Sequence, residues 1–435
     1  MKITDNFLKR IQNIHFIGIG GIGISAIARM MLMQGKKISG SDKDKSIITK
    51  ELKNLGAKIY KSHSDLNLVW DTDLVVYTTA ISDNNPELKR ARKLTIPILS
   101  YPEILGVVSK NKFTIAVSGS HGKTTTTAMI GKILLDMKLD PTIILGSLLK
   151  DLKTNLVVGK SKYFVCEACE YKKAFLNLNP KIIIITNIDN DHLDYYKNLT
   201  NIQNAFSQFA ARLGKRDFLV YNSKDKNSTS VVKRVNCRKV DYSKIMLPKN
   251  FKLKIAGNHN LENAQAALAV AKILKINPLT ALGALKGFSG TWRRFDYKGK
   301  TKKGALVYDD YAHHPTEIQA TLGAFREKFA NRKIWCVFQP HLFSRTKLLM
   351  NDFAKSFNDA DYLIITDIYA ARERNVYKIN SGDLIKKTKN YHSDAIYIKS
   401  FSQIEKVLKK NMRPGDVLIT MGAGDIFKIG ENLLR

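Results

Sequence analysis

The stretch Thr114-Ile-Ala-Val-Ser-Gly-Ser-His-Gly-Lys-Thr-Thr-Thr-Thr127 constrains the fold more than any other in the chain. An apolar, β-branched run from Phe113 to Val117 leads into a turn holding Gly119 and Gly122; Lys123 and a threonine run follow, and a helical pattern begins at Ala128. Strand, glycine loop and helix in that order make a phosphate-binding turn. The glycines let backbone N–H groups converge on an anion, the helix N-terminus adds partial positive charge, Lys123 supplies a mobile cation and the Thr124 hydroxyl can ligate Mg2+. The loop is contracted relative to the general G-x-x-x-x-G-K-[ST] pattern, whose first glycine would fall at Val117. Gly119, Ser120, His121, Gly122, Lys123, Thr124 and Thr125 are therefore the candidate nucleotide-phosphate ligands.

A second glycine loop lies upstream. Residues 14–42 run as an apolar strand, then Gly18-x-Gly20-Gly21-x-Gly23, a helix ending near Gly35, another strand and Asp42. This is the layout of a dinucleotide-type βαβ unit, in which the glycines admit a pyrophosphate to the backbone and the terminal acid reaches a ribose or base. Leu74–Ala80 and Ile96–Ser100 read as further buried strands, and a first domain is expected to close near Ser109.

After the phosphate loop, the apolar runs that begin at Tyr163 and Lys181 end in polar residues, among them Glu167 and His192. Carboxyl ends of neighbouring parallel strands share one crevice, so Glu167 and His192 are expected to converge on the loop as Mg2+ ligands beside Thr124. The plain structural readings are a surface acid and a capping histidine. Residues 214–254 are polar and irregular and read as peripheral. A helix then opens at Gly257-Asn-His-Asn, and its Asn260 and Asn263 share a face; reading an adenine edge and simple N-capping by Asn258 or Asn260 suit them equally. A third α/β unit follows Trp292-Arg-Arg-Phe295, with four strands expected within the runs 305–310, 334–341, 362–370 and 417–425, and Gly422-x-Gly424 as a turn into the final helix.

A chain of 435 residues is too long for one core, and two to four domains are expected. No apolar run reaches the ~18 residues of a membrane span, and the opening Met1-Lys-Ile-Thr-Asp5 lacks the apolar core of a signal peptide, so the expected location is the cytoplasm. Four cysteines do not make a disulfide scaffold at this length; Cys166 and Cys169 form a C-x-x-C but read as core thiols. The net charge of +33 favours anionic partners, yet its lysines are dispersed and no aromatic platform accompanies them, so a solvated Lys-rich surface is expected and no nucleic-acid face.

One diphosphate cradle, one triphosphate loop and a third unit with polar strand ends suit an enzyme that activates a carboxylate with ATP and lets an amine attack it. Nine motifs in order carry a resemblance on top of this reading: HFIGIGGIG (15–23), SGSHGKTTT (118–126), EACEYKKAFLNLNP (167–180), TNIDNDHLDYY (186–196), GNHNLENAQAALA (257–269), WRRF (292–295), YDDYAHHPTEI (308–318), FQPHLFSRT (338–346) and GAGDI (422–426). Together they resemble the Mur ligase family over nearly the whole chain. The resemblance implies three α/β domains: a Rossmann-like UDP-substrate domain at 1–109, a central P-loop ATP-binding domain at 110–292 and a C-terminal Rossmann-like domain for the amino acid at 293–435. It implies an ATP-dependent amide ligase of peptidoglycan precursor synthesis, with UDP-N-acetylmuramate, ATP and L-alanine as substrates, Mg2+ as cofactor, and a monomer or weak dimer as the working form. Gly18, Gly20, Gly21, Gly23 and Asp42 would hold the UDP substrate. Lys123 would hold the ATP phosphates, with Thr124, Glu167 and His192 at the metals and Asn260 and Asn263 at the adenine. Arg294 and Asp310 match the family's arginine and aspartate at the junction of the central and C-terminal domains, and His313, His314 and Arg345 fall where the amino acid is expected.

The chain departs from the family pattern at Leu342, where an arginine is usual, at Cys169, where an acid is common, and at Ser100–Glu103, where many members carry a basic residue. Rival readings leave parts of the chain unused. A nicotinamide oxidoreductase does not need the Lys123 loop, and a basic P-loop ATPase acting on nucleic acid does not need the Gly18 loop. Within the family, a ligase that joins a preformed peptide to the same UDP-sugar is the nearest alternative.

Overall fold

Each long apolar run is a strand buried on both faces, as a parallel sheet flanked by helices demands; Ile182–Ile185 and Ile334–Phe338 are buried throughout. The computed structural model describes residues 5–371 and 373–435, so all but the last residue of the opening Met1–Asp5 stretch lies outside the described residues. Eighteen strands in the described residues form three α/β sheets.

The first sheet holds β1 (Asn13–Ile17), β2 (Lys37–Ser41), β3 (Lys58–Tyr60), β4 (Leu74–Tyr77) and β5 (Ile98–Ser100), all parallel in the order β3-β2-β1-β4-β5. Strand order reverses beside β1, which places the Gly18 loop at the switch point of a doubly wound sheet. The second sheet holds β6 (Phe113–Ser118), β7 (Thr142–Leu149), β8 (Thr154–Val157), β9 (Tyr163–Glu167), β10 (Ile182–Ile185), β11 (Phe218–Tyr221) and β12 (Arg238–Asp241). Their order is β12-β11-β10-β6-β9-β7-β8, with only β8 antiparallel to its neighbour. The stretch 214–254, expected to be peripheral and irregular, instead supplies β11 and β12. Strand β11 has buried Leu219 and Val220 at its centre, whereas β12 is an edge strand with exposed Arg238 and Lys239, which hides its strand pattern.

These two sheets belong to one compact unit, made of the residues up to Ile188 with Gln203–Ile245 and Ala266–Ala284. Within it, the helix that leaves the Gly18 loop (Ile22–Met33) is braced on the β7/β8 hairpin. Asn155 Nδ2 donates to the Ile22 carbonyl and, at 3.1 Å, to Ser25 Oγ, while Arg29 reaches Thr154 Oγ1 at 3.2 Å and pairs with Glu51.

The second compact unit contains Asp189–Ile202, Met246–Gln265 and Leu285–Arg435. Its sheet runs β13 (Asp296–Lys300), β14 (Leu306–Asp310), β18 (Val417–Met421), β15 (Ile334–Phe338), β16 (Tyr362–Ile365), β17 (Ala395–Tyr397), so the four expected strands gain two at the edges. Strand β13 is antiparallel and carries an irregularity near Gly299; β17 is three residues long with two exposed. Short, irregular edges of this kind resist pairing with other chains.

The two adjacent arginines before β13 do different jobs. Arg293 is buried, its Nε pairing with Asp309 at 2.7 Å and its two Nη groups donating to the Gly424 and Gly422 carbonyls at 2.8 and 2.6 Å. It thereby fastens the turn after β18, confirming Gly422-x-Gly424 as a structural turn. Arg294 is partly exposed, 3.6 Å from Glu317. Arg293→Ala is expected to cost ~3–5 kcal/mol, because it leaves Asp309 and two carbonyls buried without their partner, whereas Arg294→Ala is expected to cost about 1 kcal/mol or less. Urea midpoints of the two variants check this; equal midpoints would contradict the assignment.

Candidate active site

The phosphate loop is shaped from both sides by its neighbours. Strand β6 lies between β10 and β9, with Ile185 opposite Ser118 and Glu167 opposite Val117. The segment after β10 then grips the loop. Ser120 N donates to the Asn187 carbonyl at 3.0 Å, His121 N donates to Asn187 Oδ1 at 2.9 Å, and the His121 carbonyl accepts from Asn187 Nδ2 at 3.2 Å and Thr186 Oγ1 at 2.5 Å. Gly119 (φ 129°) and Gly122 (φ 82°) take backbone conformations that L side chains rarely adopt. Any Cβ on Gly119 would also run into Thr186 and Asn187. Gly122 turns the chain into the helix Lys123–Asp136, whose first-turn amides have no intrahelical acceptor and face an incoming anion.

Lys123 is held in place. Its Nζ donates to the Gly119 and Ser120 carbonyls at 2.5 and 3.0 Å and pairs with Glu170 Oε1 at 3.0 Å, Glu170 being almost fully buried. Thr124 and Thr125 are buried in the first turn. Glu167 Oε1 accepts from Gly146 N at 2.6 Å, and a side chain at 146 would press on that carboxylate. Within this unit the structure brings together Gly119–Thr125, Glu167 and Glu170. The Thr124 hydroxyl and Glu167 carboxylate are hard oxygen donors of the kind Mg2+ takes, so the residues present fit that ion. Of the C-x-x-C pair, Cys166 is buried as expected, but Cys169 is exposed and is not a core thiol; burial pushes the Cys166 thiol well up, which makes it inert.

At the other loop of the same unit, Gly18 and Ile19 donate to the Ser41 carbonyl at 2.8 and 3.1 Å, and Gly20 N donates to Asp42 Oδ2 at 2.8 Å. Asp42 therefore sits on the glycine loop itself. Gly23 lies against the Tyr101 ring, so no larger residue fits there.

The remaining candidates belong to the second compact unit. Asp310, at the end of β14, accepts from Phe295 N and Ala312 N at 2.7 and 2.8 Å; burial nevertheless pushes its pKa up to about 6. Glu317 gathers its neighbours, lying 3.6 Å from Arg294 and 3.3 Å from His313 Nδ1 and accepting from His313 N at 3.1 Å. His314 caps the helix Pro315–Lys328, its Nδ1 accepting from Thr316 N at 3.3 Å and its Nε2 donating to the Asn190 carbonyl at 3.1 Å. Arg345 forms a buried pair with Asp191 at 2.6 Å and lies 3.2 Å from His341 Nδ1. His192 and, next to it, Arg345 hold Asp191 well below the usual carboxylate range, against the effect of burial. His192 is in a left-handed conformation (φ 54°), with Nε2 3.7 Å from Asp191. Leu342, where the resemblance leads to the expectation of an arginine, is buried with φ 70° at the start of the helix Phe343–Leu348 and supplies no charge. In the helix Asn258–Ile273, Asn260 Nδ2 donates to the Ala256 carbonyl at 2.6 Å and Asn263 Nδ2 to Asn260 Oδ1 at 3.4 Å, so the two amides share a face.

Sequence reasoning did not single out Asn187, Asp191, Glu317 or His341. Glu317 carried a signal: it stands four residues after His313 at a helix start, the spacing that brings two side chains together. Asn187 and His341 lay inside quoted motifs with nothing in their spacing to mark them.

Residues 13–113 match the Mur ligase family catalytic domain, residues 117–251 the Mur ligase middle domain and residues 293–424 the Mur ligase glutamate ligase domain. A nucleotide-binding α/β protein of three sheets, with one contracted phosphate loop and one glycine cradle, is the class that the architecture defines. The chain belongs to the Mur ligase family. It is 43% identical to a UDP-N-acetylmuramate–L-alanine ligase of Clostridium tetani, over 99% of each chain. The crystal structure of the UDP-N-acetylmuramate–alanine ligase of Thermotoga maritima superposes with a TM-score of 0.82 at 31% identity, over 97% of this chain and 98% of that one. A murein peptide ligase of Psychrobacter arcticus shares the fold at 23% identity, with a TM-score of 0.74, over 97% of this chain and 98% of that one. No helix among the described residues is long and apolar enough to cross a membrane.

His313 gives a test of the site's electrostatics. Burial pushes its pKa down to about 3, the opposing pull of Glu317 being smaller. A folded-state value below the unfolded ~6.5 means that the unfolded chain binds the proton first. This contribution to stability is thus complete above pH ~6.5 and declines as pH falls from there toward 3, by up to ~1.4 kcal/mol per pH unit. His313→Gln is expected to flatten the loss of urea stability between pH 7 and pH 5; an unchanged slope would mean that the imidazole is not held neutral.

Proposed function

We propose that this chain is the ATP-dependent ligase that joins L-alanine to the carboxylate of UDP-N-acetylmuramate, giving ADP and phosphate, in the synthesis of peptidoglycan precursors. The observation that carries the reading is the 43% identity, over 99% of both chains, to a relative bearing that activity in its name. We take 1–109 as the UDP-substrate domain, 110–292 as the ATP domain and 293–435 as the amino-acid domain, working in the cytoplasm as a monomer or weak dimer without nucleic acid.

In this reading the substrate carboxylate attacks the γ-phosphorus of ATP. The bond to the β-phosphate oxygen breaks, ADP leaves and an acyl phosphate forms. The α-amine of alanine then attacks the acyl carbon, the C–O bond to phosphate breaks, and the nitrogen loses its proton as the amide is completed. Both steps put negative charge on phosphoryl oxygens, so the chain's contribution is electrostatic and positional. Lys123 and the first-turn amides hold the β- and γ-phosphates. Thr124, Glu167 and His192 would hold Mg2+, which when bound supplies further charge compensation at those oxygens. Asn260 and Asn263 present their amides to the adenine. Arg294 and Asp310 serve the phosphates and ribose; Gly18, Gly20, Gly21, Gly23 and Asp42 receive the UDP diphosphate and its ribose. His313, His314 and Arg345 orient the amino acid, with His314 acting through the helix start that it caps and Arg345 through Asp191.

The test is phosphate release with ATP, Mg2+ and UDP-N-acetylmuramate while L-Ala, L-Ser, Gly and a tripeptide are offered in turn. Release fastest with L-Ala is expected, and no release with any acceptor would reject the ligase reading. Lys123→Ala is expected to lower turnover by at least ~100-fold while leaving binding of the UDP substrate intact; normal turnover in that variant would remove the loop from the mechanism.

A further inference from the structure

The chemistry above works at the carboxyl ends of the first two sheets. At their opposite ends the chain frames a cavity of about 390 Å3, a size that takes a small organic molecule, which the ligation leaves unused. Lys112 lies immediately before β6, Thr142 opens β7 and Phe164 is the second residue of β9, so the cavity is a strand's length from the phosphate loop. Met31 lines it from the last turn of the helix Ile22–Met33, whose first turn follows the Gly18 loop. All of these residues belong to the first compact unit.

The floor is apolar. Leu8 of the helix Asp5–Arg10, Met31 and Phe164 line it and are buried, and Val158, just after β8, forms part of the wall. The rim is cationic: Lys9, Lys36 and Lys112 line it, and among the described residues no carboxylate does. Lys36 and Lys112 are partly buried. Lys36 Nζ donates to the carbonyls of Lys9 and Ile11 at 3.0 and 2.6 Å, closing the end of the first helix, and Lys112 Nζ donates to the Ser161 carbonyl at 2.9 Å. These bonds tether the two side chains but leave one N–H on Lys36 and two on Lys112, since an ammonium carries three. Neither ammonium has a carboxylate partner among the described residues.

Elsewhere the fold answers its sheltered cations from within. Lys123 has Glu170, Arg293 has Asp309 and Arg345 has Asp191, in each case a carboxylate that offsets the cost of taking the cation out of water. At the cavity the compensating anion is left to come from outside, and the apolar floor sets what else it must carry. An inorganic anion would satisfy the lysines and leave Leu8, Met31 and Phe164 bare; a neutral apolar molecule would do the reverse. We propose that the cavity binds a small amphipathic anion, its apolar body on that floor and its carboxylate or phosphate head on Lys36 and Lys112. Such a ligand would touch both the helix that leaves the Gly18 loop and the strand that ends in Glu167, so its binding is expected to raise the melting temperature.

Octanoate and octyl phosphate share a tail and differ in head. Each is titrated into the full chain by calorimetry, with ADP and Mg2+ present to occupy the phosphate loop, octanol and acetate as tail and head alone, and a thermal melt of each protein. The expected result is one equivalent of an octyl anion bound, a raised melting temperature, and binding of octanol and of acetate weaker by at least about tenfold. Whichever octyl anion binds more tightly identifies the head that the rim takes. Val158→Phe fills the cavity without touching its charge, and Lys112→Met removes one cation while keeping its stem; each is expected to weaken the octyl anion by at least about tenfold. Lys386→Met, at an exposed lysine of the second compact unit, is expected to change nothing, which separates the cavity from the general pull of a chain of net charge +33. No binding of either octyl anion by the wild type overturns the inference. So does a folded Val158→Phe that binds as the wild type does, or octanol or acetate that binds as tightly as the octyl anions. If Val158→Phe does not fold, Lys112→Met decides, and wild-type affinity in that variant overturns the inference too.

Discussion

The grip of Thr186 and Asn187 on the phosphate loop is the constraint on which the catalytic half of the first unit depends. A glycine loop alone has too much backbone freedom to hold one shape; here Asn187 takes up the Ser120 and His121 amides and, with Thr186, the His121 carbonyl, which sets the loop that leads into the helix. That grip exists only because β10 is hydrogen-bonded beside β6, and β9 on the other flank delivers Glu167 at the same level. Strand order therefore fixes loop shape, and loop shape fixes where Lys123 and the first turn of its helix face. The glycine at 119 follows from the same contact, since a side chain there would fall on Thr186 and Asn187.

What was legible in the sequence was local. The Gly18 and Gly119 loops, the strands before them and the helices after them are contiguous patterns, and buried parallel strands such as Ile182–Ile185 announce themselves by unbroken hydrophobicity. Edge strands do not. Arg238–Asp241 exposes much of its surface and its composition resembles that of a loop, Ala395–Tyr397 is too short to show a period, and β13 pairs antiparallel around an irregularity that no periodicity reveals. Partners distant in sequence were equally invisible: Arg345 finds Asp191 across 154 positions and Arg293 finds Gly424 across 131.

The pair Arg293 and Arg294 shows why residue type cannot settle role. The motif resemblance pointed to Arg294 and left Arg293 without comment. Burial reverses their structural weight: Arg293 spends its guanidinium on Asp309 and two carbonyls, while Arg294 keeps a loose, partly exposed contact with Glu317. A guanidinium bound on three sides inside the protein is committed to the fold. One held at 3.6 Å by a carboxylate that also serves His313 can exchange that partner for another anion at small cost.

The same logic extends to the other candidate cations. Lys123 lies on Glu170 and Arg345 on Asp191, both in largely buried pairs. An isolated cation in such places would be expensive to desolvate, so each carboxylate makes its partner's position tolerable before any anion arrives. The consequence is selectivity by charge and geometry. In the proposed ATP site, a polyphosphate would offer Lys123 more acceptor oxygens than Glu170 does. The net charge of +33 takes no part in this discrimination, for its dispersed lysines lie mostly in solvent, where screening removes their influence beyond about 10 Å. In the proposed site, a few paired cations held by the fold would select the nucleotide, and the long-range field of the chain would act on the rate of encounter.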